Sequence, residues 1–177
     1  MLSKFQTLLR HRWLDVAHTR RVLTPAMVQR LTQRVTASEH RHLGEVQICV
    51  EASLPLSYLW RHAWHQQPLS ELVRQRALSL FGTLGVWNTH HNNGVLIYLL
   101  LAERSIEVVA DRGLNQAVAP GLWQSILGGL ASELQAGHFE RGLTLALDQV
   151  STLLESHFPA PSGLSRANEL ANAPVLL

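Results

Sequence analysis

Cysteine and lysine are almost missing from this 177-residue chain: Cys49 is its only cysteine and Lys4 its only lysine. One cysteine excludes an internal disulfide and any paired-cysteine zinc motif. Cys49 lies in the apolar run Val46-Gln47-Ile48-Cys49-Val50, where a thiol packs as a small hydrophobe, so we expect it buried in a reducing compartment. Charged residues make up only 16% of the chain, and acids nearly balance bases, leaving a formal charge of +2. That balance excludes a disordered polyelectrolyte and a protein built to coat a polyanion. Arg30, Arg34 and Arg41 could form one basic stripe, but no recognition module accompanies them, so no nucleic-acid partner is expected. No apolar run reaches the roughly 20 residues that a membrane-spanning helix needs.

Catalytic signatures are missing too. There is no glycine-rich phosphate loop, no Gly-x-Ser-x-Gly elbow and no HExxH. Residues 1–12 carry Lys4 but no apolar segment followed by a small-residue cleavage site. A soluble cytoplasmic protein is therefore the expectation, with a peripheral place at the inner membrane as the alternative. What the chain does have is a core: hydrophobic residues are 46% of it, enough for one domain.

The centre of the pattern is Asn92 to Leu114. Val95 to Ala102 is a continuous apolar run, which reads as a strand buried on both faces. Glu103-Arg104-Ser105 turns the chain, and Ile106 to Ala110 returns antiparallel. Before this hairpin, Leu2, Phe5, Leu8, Leu9, Trp13 and Val16 share one helical stripe beside Lys4, Arg10, His11 and Arg12. That basic amphipathic helix either docks on its own domain or a second subunit, or lies on an anionic membrane. Thr24-Pro25 caps a helix running to about His42, and Glu45 to Val50 alternates as a strand does. Residues 53–69 hold Pro55, Trp60, His62, Trp64, His65 and Pro68, which suggests a loop with a short helical turn folding over as a flap. Helices follow over 70–84, from Pro120 with Gly128-Gly129 inside it, and, after a break at Gly137-His138-Phe139, through Leu143, Leu147, Val150 and Leu154 to Phe158. Close packing would explain the two glycines. From Pro159 the composition turns to Pro, Ser, Ala, Asn and Gly, and a mobile tail is expected.

The order is helix, strand, helix, strand, strand, helix, helix. The 70–84 helix crosses between the first two strands, which should be parallel. Helices on both faces of a small mixed sheet make an α/β three-layer α/β/α sandwich. The division expected is residues 1–24 as N-terminal helix and linker, 25–158 as the domain, and 159–177 as the flexible tail.

Gly44-Glu45-Val46-Gln47-Ile48, the 71–86 helix, Asn93-Gly94-Val95-Leu96-Ile97, Ile106-Glu107-Val108-Val109, Gly113-Leu114, and Gly137-His138-Phe139 with Gly142 together carry a likeness. In order and spacing they resemble the TPM domain, a bacterial and chloroplast family, in its soluble single-domain branch. The resemblance implies an α/β sandwich, and for some members acid-phosphatase or calcium-binding activity. It also implies a protein partner, such as a LemA-type or another TPM-domain envelope protein. The family's Gly-Leu-Glu and the later aspartate are replaced here, since Asn115 follows Gly113-Leu114 and Pro120 stands at the second acidic position. Cation and phosphatase sites both lean on such anionic ligands.

Topology gathers the remaining chemistry at one sheet edge. His40, His42 and Glu45 enter the first strand there, His90, His91, Asn92 and Asn93 enter the second, and Asp111, Arg112 and Asn115 leave the third. His42, Glu45, His90, His91, Asn92, Asn93, Asp111, Arg112 and Asn115 are the ligand-binding candidates. His90, His91 and Asp111 are those for a divalent cation. The competing reading makes them turn and cap residues. A non-enzymatic module binding a partner protein or envelope component is the function expected, and a metal-dependent acid-phosphatase-like hydrolase or cation-binding domain is the alternative. If the protein is an enzyme, it is a phosphatase.

Overall fold

A computed structural model of the chain describes His11, residues 16–161 and residues 168–177. The expected N-terminal helix over 2–16 therefore lies outside the described residues, except for His11 and Val16.

Seven helices and four strands occur among the described residues. Helix α1 (Val16–Val22) leads to α2 (Pro25–Glu39), strand β1 (Glu45–Glu51), α3 (Leu56–Trp64) and α4 (Leu69–Thr83). The hairpin β2 (Gly94–Leu100) and β3 (Ser105–Ala110) follows, then α5 (Arg112–Ala117), α6 (Pro120–Gln135), α7 (Phe139–His157) and β4 (Val175–Leu176). Thr24 caps α2 through its hydroxyl, which accepts from Met27 N–H at 3.4 Å with Pro25 behind it. Those residue types allow few other starts.

The sheet order is β3-β2-β1-β4. β1 runs parallel to β2 with Glu45 opposite Gly94, and β3 runs antiparallel to β2 with Ala110 opposite Val95. The result is an α/β sandwich. On one face Val46, Ile48, Val50, Val95, Ile97 and Leu99 pack against α2, α6 and α7. On the other, Cys49, Leu96, Tyr98, Leu100 and Val109 meet α3 and α4. Every residue of β2 is buried, as its unbroken apolar run requires.

Four features depart from the sequence reading. β1 alternates polar and apolar residues, yet both its faces are buried, because each polar side chain has a partner. Gln47, for example, donates to Ile48 O and Ala173 O, both at 3.1 Å. The expected tail from Pro159 gives way at its end to β4, which pairs with Cys49 and Val50. Leu177 accepts from Ala52 N–H at 3.0 Å and donates to Val50 O at 2.9 Å. Two hydrophobic residues and backbone hydrogen bonds suffice there, a signal too short for periodicity to detect. The flap over 53–69 is instead α3, whose Trp60 and Trp64 face solvent at 53% and 72% exposure. Gly128 and Gly129 are not close-packed either, since a Cβ on either would meet nothing within 4 Å. Gly128→Ala should therefore raise stability by about 1 kcal/mol through helix propensity alone. Urea unfolding checks this, and a loss of stability would mean that α6 packs more tightly than described.

Candidate functional site

The sheet edge where β1 and β2 begin is a tight corner. A Cβ on Gly94 would lie 2.0 Å from Val86 O, so the backbone leading into β2 tolerates no side chain there. At Gly113 an added Cβ would meet Asn92 O at 2.5 Å, and Gly113 N–H donates to that same oxygen at 2.9 Å. The loop before β2 is thus pressed onto the start of α5. Asn92 takes a φ of 51° to make the bend, a conformation that asparagine tolerates better than most residues.

The candidate side chains fall into separate groups around this corner. Asn93 is buried; its backbone N–H donates to Thr89 Oγ1 at 3.1 Å and its Nδ2 to Leu43 O at 3.0 Å, tying the loop to the turn before β1. Asp111 caps α5: its Oδ1 accepts from Arg112 N–H at 2.7 Å, while its Oδ2 is buried without a hydrogen-bond partner. Arg112 donates through Nη2 to Asn92 Oδ1 at 3.0 Å. Asn115, on α5, lines a different groove beside β3, with Arg74, Glu107 and Trp123.

The histidines sit elsewhere. His42 and His91 line one cavity of about 760 Å³, together with Thr36, Glu39, His40, Asn168 and Asn172. His42 is 1% exposed and donates through Nδ1 to Gly44 O at 3.1 Å, which orients its ring. The rings of His90 and His91 meet edge to face, with centroids 4.7 Å apart. Glu45 is buried, and its Oε1 accepts from Glu169 N–H at 3.4 Å. The carboxylate of Glu169 in turn accepts from His90 N–H at 2.8 Å. The structure thus brings His42 and His91 together with Glu45 and His90 alongside, and turns Asp111, Arg112 and Asn115 to other tasks. Among the described residues, no group of three or more His, Cys, Asp or Glu side chains is placed to hold a metal ion.

Sequence reasoning missed Asn168, Glu169 and Asn172, because they belong to a stretch whose composition suggests a tail. Asn172 Nδ2 donates to Thr36 Oγ1 at 2.8 Å, which seats this segment against α2.

These contacts give the comparisons their setting. A model of the TPM domain family matches residues 16–153. The chain belongs to the TPM domain family. The glycines carrying the sequence likeness, Gly94 and Gly113, are those that build the corner. The solved structure of the BA42 protein from the psychrophilic bacterium Bizionia argentinensis has the same fold, with a TM-score of 0.69 at 22% identity, covering 86% of this chain and 93% of that one. No curated protein matches the chain.

A second polar cluster, also missed by sequence reasoning, occupies the far end of β1 in this TPM domain. Glu51 is 5% exposed and receives Arg76 in a two-pronged contact, Nε to Oε2 at 2.9 Å and Nη2 to Oε1 at 2.7 Å. The buried phenol of Tyr98 donates to Glu51 Oε2 at 2.7 Å, and burial raises its pKa, so it keeps that proton. Cys49 lies beside them with no exposed surface. Burial first, and then the negative charge of Glu51, push its thiol up to about 12. With the proton retained throughout the neutral range, Cys49 should not react with a disulfide reagent at pH 8 until the chain is unfolded in guanidinium. Rapid labelling of the native protein would contradict that assignment.

Proposed function

We propose that this TPM domain is a non-enzymatic binding module that uses the histidine-lined cavity to engage a polar segment of a partner protein or envelope component. The observation carrying this reading is the division of labour at the corner. Asp111 is committed to the N-cap of α5 and Arg112 to Asn92, whereas His42 and His91 converge on a cavity with Glu39, Asn168 and Asn172. Imidazoles and carboxamides offer donors and acceptors in a concave site, which is how a few polar groups select a ligand's orientation. The chain also carries Asn115 and Pro120 where the family pattern would supply two acids. Among the described residues no helix is long and apolar enough to cross a membrane.

One observation favours the second reading, a divalent-cation site. Asp111 Oδ2 is buried without a hydrogen-bond partner, and a hard cation could satisfy it. Hydrolysis of p-nitrophenyl phosphate, assayed with Mg²⁺, Ca²⁺ and Zn²⁺ in turn, separates the two. The binding-module reading expects no turnover above buffer from wild type. Turnover abolished by both His91→Ala and Asp111→Ala would replace it with the phosphatase reading.

A further inference from the structure

The exposed face of α3 is the molecule's least expected surface. Leu56, Trp60 and Trp64 follow one another at helical spacing of four, so they form a single stripe about 12 Å long. They are 81%, 53% and 72% exposed, while Leu59, about a quarter-turn round the helix, is 3% exposed and anchors it to the core. The two indoles stack, with centroids 5.6 Å apart and planes 14° from parallel, and His65 packs edge-on against Trp60. A soluble domain has no stability reason to hold two stacked tryptophans in water. The segment carrying the stripe is basic, and Glu71, the next acid along the chain, opens α4 and accepts from Gln75. Residues 52–70 contain Arg61, His62 and His65 and no acid. The flanking acid Glu51 is already engaged by Arg76.

His11 is anchored beside this helix. His11 is 3% exposed; its Nδ1 accepts from Leu54 N–H at 3.1 Å, two residues before α3 begins, and its Nε2 lies 3.0 Å from Glu103 Oε1. Residues 1–14 carry Lys4, Arg10 and Arg12 and again no acid. Among the described residues, His11 therefore sits beside α3 at the end of the sheet opposite the histidine cavity.

We propose that the α3 stripe is a membrane-docking surface, with Leu56, Trp60 and Trp64 entering the interface of an anionic bilayer. Tryptophan suits that position because its ring is apolar and its N–H remains able to bond at the headgroup level. Basic side chains next to it add attraction to anionic lipid. A second copy of the chain fits less well, because a two-fold contact would set Arg61, His62 and His65 against themselves. This surface is independent of the histidine cavity, so the docking stands whether or not that cavity binds a partner.

Flotation of the full chain with vesicles tests it, using phosphatidylcholine alone and phosphatidylcholine mixed with phosphatidylglycerol. Wild type is expected to float with the mixed vesicles, and Trp60→Ala/Trp64→Ala to partition about tenfold less. Trp87→Ala, which removes a 56%-exposed tryptophan before β2 at the other end of the sheet, should float as wild type does. Leu56→Asp should also lose binding, and at 81% exposure it reads the same surface if the tryptophan variant melts early. Equal flotation of wild type and both stripe variants would overturn the proposal, as would no flotation at all. A wild-type dimer that Trp60→Ala/Trp64→Ala converts to a monomer in sedimentation would overturn it as well, making the stripe a protein interface.

Discussion

The architecture turns on the absence of side chains at two points. Gly94 passes Val86 O so closely that even a methyl group would overlap the backbone, and Gly113 does the same against Asn92 O. Because those contacts are to backbone atoms, no rotamer change can relieve them. They bring the loop before β2 and the start of α5 into contact, which sets Arg112 against Asn92. The parallel pairing of Glu45 with Gly94 then carries the turn before β1 to the same place. The histidine cavity exists because three chain segments are forced together there, the third being residues 168–172.

Crowding also decides what the polar groups do. A bend with a positive φ at Asn92, a buried amide at Asn93 and a helix start at Asp111 each leave backbone groups needing partners, and the neighbouring side chains supply them. The histidines are left facing the cavity. At the opposite end of β1 the same rule operates on charge, where Glu51 is buried only because Arg76 and Tyr98 both reach it. Removing Arg76 would strand that carboxylate, and losses of about 3–5 kcal/mol are usual for such an uncompensated buried charge.

Much of this was legible beforehand. The unbroken apolar run of β2, the Thr24-Pro25 cap and the crossover through α4 are local signals, and they led to the parallel pair and its antiparallel third strand. The family likeness rested on glycines whose role the structure supplies. Other features were not legible, for physical reasons. β4 contributes two residues, fewer than any period can register. The alternation of β1 resembles a half-wet strand until Arg76, 25 positions beyond Glu51, and Ala173 are seen to cover its polar face. The sequence placed His42, His91 and Asp111 at one edge but did not show that Asp111 faces a helix start while the two histidines face a cavity.

The proposed binding-module reading takes Asp111 as a helix cap and not as a cation ligand, and two substitutions of Asp111 compared in one experiment test it. Asparagine caps a helix about as well as aspartate, whereas alanine does not. Thermal unfolding of Asp111→Asn and Asp111→Ala, each with and without Ca²⁺ or Mg²⁺, is the measurement. The account expects Asp111→Asn to melt near wild type, Asp111→Ala to lose about 1 kcal/mol, and neither ion to raise any of the three melting temperatures. A wild type stabilised by a divalent cation, with that gain lost in Asp111→Asn, would contradict it.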